Sequence, residues 1–331
     1  MISYSIPPAA GDSLRTAFAR VCSPYQDAQR ALVGLHRAFG ALPDDLLDAL
    51  LRFGRDPTSP GCLLIEGLPI DTDLPATPST GEVPRDRTTL DAEKSLLGLA
   101  QLVGTPVGYL TEKDGDLVHH VVPMRGGETT QSNRGSRVFL TYHNDSMYDE
   151  SLVFNSHNPD HLLLLCVRAD HERQARTLYA AAREICTALD PDDRAVLRER
   201  RFKMAAPSNY TLLIRGAEAH EKVWSHPVAV LSGPESTPEI YIAANGVMGT
   251  DPRAERALTA LREACEAVGE RSAVRLQPGQ ALLINNRKGV HARTYFEPVY
   301  DGHDRWLMRA NVRTSLWNIR DRATAQALVF A

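Results

Sequence analysis

The sequence predicts a mainly β, α+β protein: a roll of two facing sheets with helices packed outside it. Many short apolar, β-prone runs alternate with turn signals, no βα unit repeats, and no glycine-rich nucleotide loop follows a strand. The 331 residues, 43% apolar and 24% charged, suffice for a sizeable core. One domain over 1–331 is expected, with 1–105 largely helical and packed on a β core over 106–331 that carries a helical insert near 180–200.

Each element has its own signal. Residues 13–56 show helical spacing: Leu32, Leu35, Phe39 and Leu42 recur three or four apart, and Leu46, Leu47, Leu50, Leu51 and Phe53 follow the start signal Pro43-Asp44-Asp45. Cys62-Leu63-Leu64-Ile65, bounded by Gly61 and Gly67, predicts a buried strand. Residues 68–89, rich in Pro, Thr and Asp without periodicity, predict a long surface loop or lid, because core-like patterning resumes in a helix over 90–103. A strand over 117–122 and a polar segment over 124–134 lead into Phe139-Leu140-Thr141-Tyr142-His143-Asn144-Asp145. Strands are then expected over 161–167 and 176–179, helices over 180–189 and 192–200, and a short strand over 240–243. A helix over 253–268 and strands over 282–291 and 305–314 complete the chain.

Composition narrows the function classes. A formal charge of −4, with arginines interleaved among acids as in Arg183-Glu184, argues against a nucleic-acid partner. The five cysteines are odd in number and mostly sit in apolar segments, so they read as buried free thiols of a reducing compartment. With no signal-peptide pattern and no apolar run long enough for a bilayer, no membrane partner and a cytoplasmic location are expected. Nothing in the sequence sets the oligomeric state.

The chemistry gathers at two strand ends. His143 and Asp145 stand two apart at the end of an apolar run, so on a strand they point to one face. His291 ends a second run, and two imidazoles with one carboxylate form a facial triad that leaves metal positions open, as suits a non-haem Fe(II) oxygenase. Arg305 and Arg309, four apart beyond the return turn 298–302, share a strand face and suit two carboxylates. Arg313 reads as a surface or salt-bridged arginine, and His119-His120 as structural, since adjacent strand residues face opposite ways. His157, His161 and His171 read as hydrogen-bonding loop or strand-end residues. Gln131 and Asn133 on the polar segment, and Asp149 and Glu150 beyond the triad, are candidate substrate contacts.

These residues resemble the clavaminate synthase-like family of Fe(II)/2-oxoglutarate-dependent oxygenases, which includes hydroxylases of free amino acids. The likeness runs over 131–177 and 278–309: Gly135-Ser136-Arg137-Val138-Phe139-Leu140 into His143-Asn144-Asp145, Arg168-Ala169-Asp170-His171-Glu172-Arg173 with Thr177, Asn285-Asn286-Arg287 before Val290-His291, and Asp304-Arg305-Trp306 with Arg309. The resemblance implies a double-stranded β-helix (jelly-roll) core and iron ligation by His143, Asp145 and His291. It also implies Arg305 on the distal carboxylate of 2-oxoglutarate with help from Thr177, and Arg309 on the carboxylate of an amino-acid-type substrate. Fe(II), 2-oxoglutarate and O2 follow as cofactor and cosubstrates, and specialised-metabolite biosynthesis, antibiotic biosynthesis included, as the setting.

Two positions depart from the family pattern. Asp145 stands where many members carry Glu; it remains an anionic ligand, and its presence favours hydroxylation over halogenation, with desaturation or cyclisation left open. Members acting on basic amino acids carry Asp-x-Asp where this chain has Ala244 and Gly246, so a cationic tail lacks its partners unless Asp149, Glu150 or Glu218 serves. A neutral tail would find Asn245, Met248 and Gln131. Two other classes remain open at this level: a metal-dependent hydrolase using the same three ligands, which leaves Arg305, Arg309 and Thr177 unexplained, and a non-catalytic β-roll binding protein.

Overall fold

The computed structural model describes residues 1–78, 87, 89–131, 135–147, 157–207 and 222–331. The chain opens with strand β1 (Ile2–Ser5) and helices α1 (Pro8–Phe18), α2 (Ala28–Phe39) and α3 (Asp44–Arg55). Then come β2 (Cys62–Glu66), α4 (Asp91–Val103), β3 (Thr105–Tyr109), β4 (His119–Val121), β5 (Leu140–His143), β6 (His161–Arg168) and β7 (Thr177–Ala181). The insert holds α5 (Ala182–Ala188), α6 (Pro191–Leu197), β8 (Phe202–Met204), β9 (Leu231–Ser232), β10 (Glu239–Ile240), β11 (Val247–Gly249) and α7 (Pro252–Glu270). The chain ends with β12 (Ala281–Asn285), β13 (Gly289–Arg293), β14 (Trp306–Arg313) and β15 (Val329–Phe330).

Two sheets form the core. The larger has eight strands, ordered β1-β2-β12-β6-β14-β3-β15 with β4 also on β14, and the smaller is β5-β13-β7. Period-two alternation makes the large sheet apolar on both faces. On β6, Leu163, Leu165 and Val167 join Leu283, Met308 and Ala310 in packing against α1–α4. The intervening Leu162, Leu164 and Cys166 join Leu282, Ile284 and Leu307 and meet Tyr179 of the small sheet. The small sheet's other face, with Leu178, Ala180, Val290 and Ala292, is covered by α5, α6 and α7. This is the jelly-roll, double-stranded β-helix core expected from the resemblance. No helix among the described residues is long and apolar enough to cross a membrane.

The helical N-terminal part is fixed by ordinary amphipathic packing. Leu32, Leu35 and Phe39 of α2 and Leu46, Leu50 and Phe53 of α3 are buried against α4 and the large sheet. Asp27 caps α2 through the Arg30 amide at 3.0 Å, and Asp251 caps α7 ahead of Pro252. α4 is buried nearly all round, and a Cβ on its Gly98 would lie 2.0 Å from the Phe39 ring, so only glycine allows that approach. β1 also joins the large sheet, pairing parallel with β2. The polar opening of the chain gives little sign of it: Ile2–Ser5 is an edge strand, held by backbone pairing more than by burial.

The largest correction concerns 282–291, expected as one strand. The run is two strands in different sheets: β12 pairs with β2 and β6, and β13 with β5 and β7. Between them the Asn285 side-chain oxygen accepts from the amides of Arg287 (3.0 Å) and Lys288 (3.1 Å), an Asx turn that breaks the ladder. The strand expected over 240–243 is assigned only at Glu239–Ile240, and Ala243 makes an isolated bridge to Asn144.

Two buried amides rivet this turn to the end of β5. Asn144 donates to the carbonyls of Asn286 (2.6 Å) and Gly289 (3.1 Å) and accepts from the Ile242 amide at 2.8 Å. Asn286 accepts from the Asp145 amide at 3.0 Å and donates to the carbonyls of Asp145 (2.8 Å) and Pro159 (2.9 Å). Substituting Asn286→Ala strands those backbone groups, so urea unfolding is expected to show a loss of about 2–4 kcal/mol. A loss below about 0.5 kcal/mol would mean that the amide holds nothing together.

Candidate metal centre

β5 and β13 are antiparallel neighbours, with His143 directly opposite His291. Cross-strand pairing, not sequence spacing, therefore brings the two imidazoles together, with ring centroids 4.3 Å apart. Asp145, just beyond β5, completes the cluster: its Oδ1 lies 3.6 Å from Nε2 of each histidine. Across the described residues, these three are the group able to hold a metal ion, with donor atoms within 4.8 Å of one another.

The protonation states suit a cation. His143 Nδ1 lies 2.6 Å from the Thr141 carbonyl, which can only accept, so Nδ1 carries the proton and Nε2 offers its lone pair. Burial pushes His291 down to about 3, helped by the neighbouring His143 and Arg309, so its imidazole is neutral at pH 7. Burial alone would raise the Asp145 carboxyl; Arg309 and the imidazoles outweigh it and hold it far below the usual carboxylate range. Cis ligands at 2.0–2.2 Å from one ion stand about 3 Å apart, so each 3.6 Å spacing closes on a metal with a small side-chain shift. The donor set fits Fe(II) in a facial triad.

The arginines of β14 lie on the face between the sheets, in step with Leu307. Arg305 is buried, stands within 5.5 Å of the Phe296 ring, and makes no ion pair or hydrogen bond among the described residues. Burial lowers its pKa, only partly offset by Cys166 and Asp170. The Asp170 carboxylate is itself taken up by the amides of Gln174 (2.7 Å) and Ala175 (3.2 Å). A buried guanidinium with no anion is costly and fits the carboxylate of a small dicarboxylic acid. Thr177, also buried, sits opposite Arg293 in the β13–β7 ladder. That position is two residues, about 7 Å, along β13 from His291, a span suited to a five-carbon diacid with one end at the metal.

Arg309 is already engaged. Its Nη1 donates to Asp145 Oδ2 at 2.6 Å, and its Nη2 to Glu112 and to His119 Nδ1, the latter at 2.7 Å. Its Nε is buried without a partner. Asn311 of the same strand face donates to Glu112 at 3.1 Å. His119 Nε2 donates to the Asp116 carbonyl (2.9 Å), and burial holds the ring neutral by pushing its pKa down to about 4. His119 and His120 do face opposite ways: His120 lies on the helix side, accepting at Nδ1 from the Trp306 indole (2.9 Å).

Several other expectations acquire a place. Gln131 uses both ends of its amide on β5 backbone, donating to the Phe139 carbonyl (3.0 Å) and accepting from the Thr141 amide (3.3 Å), so here it clips the preceding segment to the strand. Asn245 donates to the Ala206 carbonyl, and Met248 lies 39% exposed on β11, away from the triad strands. Arg313 is not a surface residue: it is 1% exposed and lies 3.7 Å from Asp160. Asn133, Asp149, Glu150 and Glu218 lie outside the described residues. Sequence reasoning missed Glu112, whose only signal was a position ahead of the 117–122 strand, and Arg293. The latter was legible by alternation, two residues past His291 on the same face. It is buried, donates to the carbonyls of Gly135 and Val138, and lies 5.4 Å from the Phe296 ring; burial and the Arg305 charge push it down to about 9.

The comparisons with known proteins agree with this geometry. The family model described as taurine catabolism dioxygenase TauD, TfdA family matches residues 80–311. L-asparagine oxygenase of Streptomyces coelicolor is 36% identical over 295 residues, 88% of this chain and 83% of that protein. Clavaminate synthase 2 of Streptomyces clavuligerus is 31% identical over 310 residues, 88% of this chain and 91% of that protein. A solved structure of asparagine oxygenase in complex with Fe(II), 2S,3S-3-hydroxyasparagine and succinate matches with a TM-score of 0.85 at 30% identity, covering 100% of this chain and 99% of that one. Fold, donor set and matched residues converge, and this chain belongs to the TauD, TfdA dioxygenase family.

Proposed function

We propose that this protein is an Fe(II)/2-oxoglutarate-dependent oxygenase that hydroxylates an unactivated C–H of an amino acid whose tail is not cationic. One observation carries the reading furthest: Arg305, a buried guanidinium with no ion pair among the described residues, adjoins β14 of the large sheet, and the His143, Asp145 and His291 cluster stands on the small sheet packed against it. The relatives' complexes with Fe(II) and succinate support the same cofactor pair. A place in specialised-metabolite or antibiotic biosynthesis belongs to this reading, supported by the likeness to clavaminate synthase 2.

Iron held by the triad would couple O2 and the decarboxylation of 2-oxoglutarate to succinate with hydroxylation of the substrate. The protein's own contribution is placement. Arg305 neutralises the distal carboxylate of the cosubstrate, and Thr177 lies at the same depth. Arg309 and Glu112 form an adjacent plus–minus pair that matches an α-amino acid head group, carboxylate toward the free Arg309 Nε and ammonium toward Glu112. Glu112 is kept ionised, because Arg309 outweighs the effect of its burial. Buried apolar residues around the site limit water.

The tail preference rests on the segment hydrogen-bonded to Asn144. Ala244 and Gly246 bring no acid, and a Cβ on Gly246 would lie 3.1 Å from Lys222 Nζ, which donates to the Asn245 carbonyl at 2.5 Å. With no acid at Ala244 or Gly246, amide, ureido or aliphatic tails are favoured over guanidinium or ammonium ones.

Three outcomes test these roles. Wild type is expected to release succinate in an O2- and amino-acid-dependent way and to bind one Co(II) per chain by calorimetry. His291→Ala should lose that binding, and retained stoichiometric affinity would remove it from the ligand set. Arg305→Ala should raise the apparent 2-oxoglutarate constant about 30-fold or more, the effect of a lost buried charge pair of 2–5 kcal/mol. A value within twofold of wild type would exclude that role. In competing turnover, asparagine, glutamine, citrulline or leucine should outrun arginine and lysine, and a wide preference for either basic amino acid would overturn the tail assignment.

A further inference from the structure

We infer that Arg309 is a positioning residue for the metal ligand Asp145: it engages Oδ2 so that Asp145 meets the metal through Oδ1 alone. This inference rests on the metal-centre reading above. The two carboxylate oxygens have different neighbours. Oδ1 is equidistant, at 3.6 Å, from the two histidine Nε2 atoms, whereas Oδ2 accepts from Arg309 Nη1 at 2.6 Å. Both arginine and carboxylate are largely buried, so the pair is weakly screened and geometrically fixed.

The guanidinium is itself immobilised. Nη2 donates to Glu112 and to His119 Nδ1, and His119 is locked in turn by the Asp116 carbonyl at 2.9 Å. Glu112 is held from a further side by Asn311 at 3.1 Å. A chain of fixed partners thus ends on one oxygen of a short side chain whose backbone is clamped by Asn286. With backbone and distal oxygen both fixed, χ1 and χ2 of Asp145 are determined before any metal arrives. Preorganisation of this kind is what outer-sphere partners supply to metal ligands, and their loss typically weakens metal affinity about 10–100-fold. Arg309 then serves two charges at once, Nη1 for the ligand carboxylate and Nε for the head group of the substrate.

The test reads metal binding, not turnover. Arg309→Lys keeps the charge but loses the planar fork, and Glu112→Gln keeps an acceptor for Arg309 while removing the other carboxylate. In the metal-free proteins titrated with Co(II), Arg309→Lys should bind about 10–100-fold more weakly than wild type and show an altered visible Co(II) spectrum. Glu112→Gln should stay within about threefold of wild type, as expected if the Asp145 bond carries the effect. An Arg309→Lys protein with wild-type affinity and spectrum would overturn the proposal, as would an equal loss in both variants. A measurement on the wild-type chain needs no variant to fold: infrared difference spectra on Co(II) addition, with carboxyl-labelled aspartate, should show the wide carboxylate splitting of one-oxygen ligation. A narrow splitting, from both oxygens on the metal, would also overturn it. If wild type bound Co(II) no better than His291→Ala, the metal-centre reading would fail first, and this inference with it.

Discussion

The large sheet is buried on both faces, and that constraint governs where charge can stand. α1–α4 seal one side of β6, β12 and β14, and the small sheet seals the other. Any ionised side chain projecting between the sheets must find a partner or await one. β14 and the residue before it bring three arginines, four residues apart, and their compensation is graded. Arg313 is paired with Asp160 and the Asn158 carbonyl as part of the frame. Arg309 is paired with groups that themselves belong to the site. Arg305 has an aromatic ring and no ion pair among the described residues.

The same logic sets the charge state of the triad. A neutral His291 imidazole and an Asp145 carboxylate held ionised by a guanidinium suit a divalent cation. Burial drives His291 and the Asp145 carboxyl toward neutrality, and Arg309 reverses the outcome for Asp145. Removing that guanidinium would leave two partly buried carboxylates, Asp145 and Glu112, without the cation that both contact.

Behind the sheet, polar groups are organised with equal care on the helix side. The Trp306 indole donates to His120 Nδ1, so a neutral His120 carries its proton on Nε2, facing the Tyr25 hydroxyl at 2.9 Å. Tyr25 in turn donates to Glu93 at 3.2 Å, a carboxylate fully buried in α4 and paired with Arg87. The directed chain ties α4 and the segment around Tyr25 to the strand residue next to Arg305. Helices and site therefore share one rigid element, β14, with charge on its inner face and a hydrogen-bonded aromatic on its outer face.

Periodicity and local turn chemistry were enough to place most helices and strands, because amphipathic stripes and apolar runs are local properties. Leu32, Leu35 and Phe39, or the unbroken His161–Arg168 strand, carry their own burial signal. The His143 and Asp145 pair was also legible, since strand alternation fixes which side chains share a face, whereas the meeting with His291 depends on the pairing of β5 with β13. Local patterns could not show that Asn285 ends one sheet and Gly289 begins another: the apolar run looks continuous, and only pairing partners separate β12 from β13. Nor could they separate Arg305, Arg309 and Arg313, identical in type and spacing. Their settings depend on which distant carboxylates the fold brings to each: Asp160 from just before β6, Glu112 from the β3–β4 connection, and none in ion-pair contact with Arg305 among the described residues. By itself the sequence determined which residues can face the cavity. Tertiary structure decided which of their charges are answered within the protein and which are left for a ligand, because compensation is a matter of distance in space and not along the chain.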